Sequence, residues 1–437
     1  MLSFFLAFLA CRDRPDVVLL TVDTLRYDHI SALNSDSPSQ TKNIDALVSD
    51  SVQYNNAYSP ISVTGPAFTS LLTGQDIASH NVAMNIFRGG QALEEEERTI
   101  TEALLEKEYN TAAFVSGFTL RSILGLNQGF SVYNAALKGQ NRRWGSETAR
   151  LSVRWIRSVE KGVLFLWYHS YDPHGPWDRW GTECEGESKP ENSIKFPKYQ
   201  YIEGCTSPIE YTKRYAKAVE FADKNVGTIL QSLKEEARYK DAMIVFTSDH
   251  GESFTERDLW FDHGTTAHEE QLHVPLIIKY PQNRQAGSKD SRLISLMDIA
   301  PTIVEEARLD PLPKATGHSL LDPNYKGMDS LLGESSHCKN ESVLRCFPKG
   351  PQGKEYAFRT QEQTLMLKGE QWLEYNRISD REERNPKTIP PLMTEEMEQI
   401  VQQKKESARN ISWPPKKKKS KETEMLESLG YMGSDEK

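Results

Sequence analysis

The chain has 437 residues and a formal net charge of −9 at pH 7. That length exceeds one small core and allows a large domain with an appendage. The acidic balance argues against general nucleic-acid binding, and no internal repeat points to a solenoid or propeller.

Residues 17–22 form an apolar run that reads as a buried strand and ends in Asp23. Asp23 begins the segment Asp23-Thr24-Leu25-Arg26-Tyr27-Asp28, in which Arg26 and Asp28 read as a structural ion pair. In Val63-Thr64-Gly65-Pro66-Ala67-Phe68, Gly65-Pro66 makes a turn and an apolar helical start follows. Thr64 is thereby expected just before a helix amino end, where N–H groups and the dipole favour an anion. A plain N-cap is the structural alternative. Thr99-x-x-Glu102 ahead of Ala103, Leu104 and Leu105 is a capping box.

Residues 163–167 read as another buried strand, followed by Asp172-Pro173-His174-Gly175-Pro176. His174 is either an exposed loop residue or a catalytic one. Residues 209–236 carry Tyr215, Val219, Ala222, Val226, Ile229, Leu230 and Leu233 at helical spacing, a stripe that belongs to the core. The run 242–246 leads into Ser248-Asp249-His250-Gly251-Glu252, and His263 precedes Gly264 in a polar loop. His169 and His268 receive no role.

Strand-like and helix-like segments alternate, as a mainly parallel sheet requires. In such α/β sheets, ligands bind at the carboxyl ends of the strands. Asp23 and the Asp249-His250 pair arrive there on two strands, which points to a metal site. A strand-ending Asp can also be only a cap or turn former.

Residues 274–279 form a further strand before Tyr280-Pro281. Past about residue 325 the pattern weakens. Residues 356–359, 364–368 and 371–375 read as a small antiparallel sheet, and a charged helix over about 394–408 follows. The expected organisation is a leader over 1–11, a catalytic domain over 16–325, a small subdomain over 326–393 and a charged helix and tail over 394–437. Lys416-Lys417-Lys418-Lys419 is a solvated run, or touches anionic lipid heads if the protein is tethered.

The first ten residues are almost wholly apolar but too short to span a bilayer. Phe8-Leu9-Ala10-Cys11 resembles a bacterial lipobox, although no basic n-region precedes it. The expectation is a lipidated Cys11 and a membrane-anchored protein facing the periplasm. The remaining cysteines, Cys184, Cys205, Cys338 and Cys346, allow three pairings. The local one, 184 with 205 and 338 with 346, suits an oxidising compartment. Four free thiols in a cytosolic protein are the alternative.

Several ordered stretches resemble the sulfatase family of the alkaline phosphatase superfamily. They are Thr21-Val22-Asp23-Thr24-Leu25-Arg26-Tyr27-Asp28-His29, Leu71-Leu72-Thr73-Gly74, Tyr171-Asp172-Pro173-His174-Gly175-Pro176, Phe246-Thr247-Ser248-Asp249-His250-Gly251-Glu252, His263-Gly264, Val274-Pro275-Leu276-Ile277-Ile278 and Met297-Asp298-Ile299-Ala300-Pro301-Thr302. They cover roughly residues 16–325, and Leu426-Glu427-Ser428-Leu429-Gly430-Tyr431 is similar to the tail of many bacterial members. The resemblance implies an alkaline-phosphatase-like α/β fold: a large mixed, mainly parallel sheet flanked by helices, with a small C-terminal antiparallel sheet and helix.

Counting back ten residues from Gly74 puts Thr64 at the family's nucleophile position. Most sulfatases have Cys or Ser there, oxidised to formylglycine, and Thr cannot be converted that way. The usual Cys-x-Pro-x-Arg reads Thr64-Gly65-Pro66-Ala67-Phe68, so the Arg is missing. The usual Gly-Lys-Trp-His aligns with Val115-Ser116-Gly117-Phe118, so two further sulfate grips are absent. Thr24 replaces the second Asp of the usual pair. Asp23, Thr64, Asp249 and His250 instead match in type and order the single-metal set of phosphoethanolamine and lipoteichoic-acid-type transferases.

The resemblance therefore implies a divalent cation held by Asp23, Asp249, His250 and Thr64. Carboxylates with an imidazole favour Mn or Zn, with Ca possible. The cation would lower the pKa of the Thr64 hydroxyl for attack on sulfur or phosphorus. His263 and His174 are candidates to hold an oxygen or protonate the leaving group. The expected function is hydrolysis of a sulfate or phosphate ester of a small molecule, glycan or lipid. The alternatives are transfer of a phospho-substituent, against which the chain lacks the several membrane helices of typical transferases, and a non-catalytic binding protein.

Overall fold

The computed structural model describes residues 14–85, 91–135, 142–181, 184, 202, 205, 207–257, 260–335, 354–389 and 395–409. The leader with Cys11, the Cys338 and Cys346 pair, the lysine run and the tail lie outside them.

Eight strands build the large sheet: β1 (Val17–Val22), β2 (Val52–Tyr58), β3 (Asn110–Val115), β4 (Val132–Asn134), β5 (Leu164–Ser170), β6 (Met243–Thr247), β7 (Leu276–Lys279) and β8 (Lys289–Ser295). Their order is β4-β3-β5-β1-β6-β7-β2-β8. β7 runs antiparallel to both its neighbours and every other pairing is parallel, so the sheet is mixed and mainly parallel.

β1 is a near-continuous apolar run because helices cover both faces of the sheet. Its Val17 and Leu19 join one core and Val18, Leu20 and Val22 the other. On the first face pack α2 (Thr64–Thr73), α4 (Ile100–Glu106) and α8 (Ile299–Glu306), through Phe68, Leu71, Ile100, Leu104 and Ile303. On the second pack α1 (Lys42–Ser49), α5 (Gly145–Ser158) and α6 (Pro208–Glu235). The stripe anticipated over 209–236 is the buried side of α6, and Ile229 and Leu233 are fully buried there. Truncating either to Ala costs about 2–5 kcal/mol. α4 starts at the capping box of Thr99 and Glu102.

Two further short helices are α3 (Ile77–His80) and α7 (Glu269–Leu272). The second sheet is antiparallel, in the order β13-β12-β11-β10-β9, from β9 (Leu331–Glu334), β10 (Glu355–Arg359), β11 (Gln363–Lys368), β12 (Gln371–Asn376) and β13 (Lys387–Thr388). Buried Glu383 ties it to the first, accepting from Arg359 at 3.2 Å and pairing with His268 Nδ1 at 2.9 Å. α9 (Glu395–Arg409) follows and sends Val401 into the core of the small sheet.

Candidate active site at the carboxyl edge of the large sheet

β1 lies between β5 and β6, with Thr21 level with both His169 and Thr247. The residues that follow each strand therefore emerge side by side at one edge. Asp23 leaves β1, Asp249 and His250 leave β6, and all three side chains are fully buried. One ligand atom from each lies within 4.8 Å of the others. Among the described residues no helix is long and apolar enough to cross a membrane.

The donors are aimed but unspent. Neither Asp23 carboxylate oxygen has a hydrogen bond, nor has Oδ2 of Asp249. Asp249 Oδ1 accepts from the Thr24 amide at 3.2 Å, which fixes the carboxylate and leaves Oδ2 toward His250 Nε2, 3.2 Å away. His250 Nδ1 lies 2.9 Å from the carbonyl of Gly251, which only accepts, so Nδ1 carries the proton and Nε2 offers a lone pair. Burial first, then the charges of Asp249 and Glu252, pushes Asp23 well above its ordinary 3.8, with His250 opposing. Orphaned, dry carboxylates beside a lone-pair nitrogen fit a divalent cation by donor chemistry.

Thr64 is the first residue of α2 rather than the residue before it, and extended Val63 is the N-cap. The helix amino end also offers less to an anion than the sequence suggests. The Gly65 amide already donates to Asn85 Oδ1 at 2.7 Å, and Pro66 has no N–H. A Cβ at position 65 would stand 2.7 Å from that same oxygen, so a larger residue there would displace the Asn85 side chain. The Thr64 hydroxyl is buried and lies 3.4 Å from His250 Nε2, beside the carboxylate cluster.

His263 and His174 reach the same place from loops after β6 and β5. The His263 ring lies 4.7 Å from that of His250 and 4.8 Å from that of His174. His263 Nδ1 faces Glu252 Oε2 at 3.3 Å. Glu252 is fully buried, and desolvation pushes its carboxyl well above the ordinary 4.5. His174 donates from Nδ1 to the Gly175 carbonyl at 2.7 Å and stacks on Tyr171 at 4.2 Å. Burial, then His263, holds His174 well below the ordinary 6.5. In this neutral tautomer its Nε2 accepts.

The positions of the missing sulfate grips are filled by packing. Phe68 sets its ring edge-on to His169 at 5.1 Å and packs on Trp167 at 5.2 Å. The Ser116 hydroxyl donates to the His169 carbonyl at 2.8 Å and lies 2.8 Å from Thr148 Oγ1, and Phe118 sets its ring edge-on to Tyr171 at 6.4 Å. Thr24 is buried with φ +53°, a left-handed conformation that is strained for a β-branched residue. Arg26 and Asp28 form the expected ion pair, 2.7 Å apart.

Sequence reasoning missed Glu252 as the partner of His263, and it missed His169. His169 is fully buried on β5, with Nε2 3.3 Å from Asp23 Oδ2. Cys184 and Cys205 form a disulfide across a sequence separation of 21, one half of the local pairing.

An α/β sheet with this acid–imidazole cluster at its carboxyl edge defines a hydrolase-like fold of the alkaline phosphatase type. The sulfatase family model matches residues 15–308, and the chain belongs to that family. It is 34% identical over 209 residues to arylsulfatase K of Gallus gallus, across 45% of this chain and 34% of that protein. It is 24% identical over 321 residues to an ulvan-active sulfatase of Formosa agariphila, across 67% of this chain and 61% of that one. The chain thus spans between a third and three fifths of the length of these curated relatives. Its fold is similar to that of the phosphonate monoester hydrolase of Agrobacterium radiobacter, with TM-score 0.69 and 19% identity over 91% of this chain and 95% of that one.

Proposed function

We propose that the protein is a metal-dependent hydrolase of sulfate or phosphate esters that uses the Thr64 hydroxyl as nucleophile. The observation that carries this reading is the 3.4 Å approach of Thr64 Oγ1 to His250 Nε2, at a buried cluster of unspent donors. A divalent cation held by Asp23, Asp249 and His250 would supply Lewis acidity to the hydroxyl and to the ester oxygens. The mixed carboxylate and imidazole set favours Mn or Zn over Ca.

The Thr64 hydroxyl gives its proton to solvent, Oγ1 attacks sulfur or phosphorus, and the bond from that centre to the ester oxygen breaks. His263, oriented by Glu252, gives the departing oxygen its proton. The product on the enzyme is a Thr64 ester. Unlike a formylglycine hydrate, it has no aldehyde to collapse to, so water attacks sulfur or phosphorus and returns a proton to His263, while Thr64 Oγ1 leaves and takes up a proton from solvent. His174, neutral and accepting through Nε2, is suited to orient a water or a substrate hydroxyl. Transfer to an alcohol is the second reading, favoured by the pairing of Thr64 with Asp249-His250.

The substrate is a sulfated or phosphorylated small molecule, glycan or lipid. The Cys184–Cys205 disulfide supports an extracytoplasmic setting; lipid anchoring through Cys11 is part of this proposal. The test is turnover of aryl sulfate, aryl phosphate and aryl phosphodiester, each with Mn²⁺, Zn²⁺ and Ca²⁺, by the wild type and Thr64→Ala. Metal-dependent release of sulfate or phosphate that Thr64→Ala abolishes supports the reading. Turnover that needs no metal, or that survives in Thr64→Ala, contradicts it.

A further inference from the structure

His169 takes no part in the chemistry above, yet one of its nitrogens is unspent in the buried part of the site. Its Nε2 and Oδ2 of Asp23 are 3.3 Å apart, both residues are fully buried, and neither atom has a hydrogen bond. On the other side of the ring Thr21 Oγ1 lies 3.2 Å from His169 Nδ1, and either atom can be the donor. Oγ1 also accepts from Trp167 Nε1 at 3.0 Å and lies 3.1 Å from the Tyr168 carbonyl. With the hydroxyl proton given to that carbonyl, Nδ1 donates to Thr21 and Nε2 presents a lone pair to the carboxylate.

Two acceptors facing each other in a dry interior are unfavourable unless a cation lies against both. The arrangement repeats that of Asp249 and His250, whose Oδ2 and Nε2 are 3.2 Å apart and whose Nδ1 proton is likewise committed. Metal–ligand distances of about 2.0–2.2 Å put neighbouring donors about 2.9–3.5 Å apart in an octahedral or tetrahedral shell. Both separations are shell edges of that size. Thr24, meanwhile, stands where a second acid would have supplied a ligand.

We propose that His169 is a further ligand of the divalent cation, bound through Nε2 beside Asp23. The inference rests on the metal-dependent reading given above. His169 stands outside the group of three that already lies within 4.8 Å, so coordination draws its ring inward. The alternative occupant of the gap is a proton, on Asp23 Oδ2 or on Nε2, and the spectra described below tell it from a cation.

Co²⁺ is the probe, because each imidazole it binds through Nε2 gives a far-shifted, solvent-exchangeable Nδ1 proton resonance. The full chain loaded with Co²⁺ is expected to show one such resonance that His169→Ala removes and a second that His250→Ala removes. Titration of Co²⁺ absorbance is expected to show a loss of affinity in His169→Ala of about 10- to 100-fold or more. His169→Gln serves if the alanine variant does not fold, and the wild-type spectrum needs no variant at all. A single far-shifted resonance in the wild type, lost only in His250→Ala, overturns the inference even if affinity falls, since His169 would then act without coordinating. Failure of the wild type to bind Co²⁺ overturns the metal-dependent reading itself, and this inference with it.

Discussion

The Thr64 hydroxyl lies 3.4 Å from Nε2 of His250, and the imidazole proton is committed on the opposite side, to Gly251. The hydroxyl therefore lies beside the lone pair that a bound cation would take. Oδ2 of Asp249 is 3.2 Å from that same nitrogen and has no hydrogen bond. A threonine at the head of a buried helix would otherwise be an unremarked first-turn residue. What sets Thr64 apart is that its neighbours are polar, desolvated and unsatisfied, an arrangement that costs stability and persists where function requires it.

That cost is measurable at Asp23. The fold holds its proton more tightly than the unfolded chain does, because burial and Asp249 raise its pKa above 3.8. The native state thus binds more protons from about pH 4 upward, and the metal-free protein loses stability as pH rises through that window. Asp23→Asn should raise the melting temperature of the metal-free protein at neutral pH and flatten its fall with pH. The same substitution should abolish stabilisation by added Mn²⁺ or Zn²⁺. Scanning calorimetry across pH, with and without metal, checks both; a less stable metal-free variant would contradict this account.

Thr24→Asp restores a second acid to the site and replaces a β-branched residue at φ +53° by one that tolerates it better. An added carboxylate oxygen suits Ca²⁺. Calorimetric titration should show Ca²⁺ affinity rising by at least about tenfold relative to Mn²⁺, a gain of roughly 1.4 kcal/mol. An unchanged ratio would mean that position 24 does not face the cation.

Glu252→Gln keeps the shape beside His263 but replaces the acid group that orients its ring, with Nδ1 and Oε2 now 3.3 Å apart. Activity should fall about 10- to 100-fold, and His263→Ala should lose about 10²- to 10⁴-fold. Both losses should be larger for a phenyl ester than for a p-nitrophenyl ester, whose leaving group needs less protonation. Equal losses on the two esters would remove His263 from the role of general acid.

The Cys184–Cys205 disulfide closes a loop across a separation of 21 and anchors fully buried Cys205 in the core around α6. Replacing both cysteines by Ser should cost about 3 kcal/mol, seen as a lower denaturation midpoint. Reductant should reproduce the effect in the wild type and do nothing further to the double variant.

The carboxylate and imidazole half of the site was legible because its residues end apolar runs. Asp23 and Asp249-His250 follow β1 and β6, and a strand's end predicts its edge of the sheet. Other parts were hidden for physical reasons. Gly65-Pro66 reads as a turn, but proline suits the first turn of a helix, so α2 begins at Thr64 and its amides are fewer than expected. His169 sits inside an apolar strand, where a histidine reads as core, and only its register with Thr21 shows that it reaches Asp23. Glu252 meets His263 through the path of a loop that no local pattern encodes. β9 holds only two apolar residues and β13 none, too few to mark a strand.

The most direct test of the account is to stop the reaction on the enzyme. The metal-loaded protein is mixed with an aryl ester that it turns over, quenched in acid, digested and examined by mass spectrometry. The account predicts a sulfuryl or phosphoryl group on the peptide containing Thr64, assigned to Thr64 by fragmentation and absent from Thr64→Ala. Turnover without such an adduct, with Thr64→Ala as active as the wild type, would contradict it.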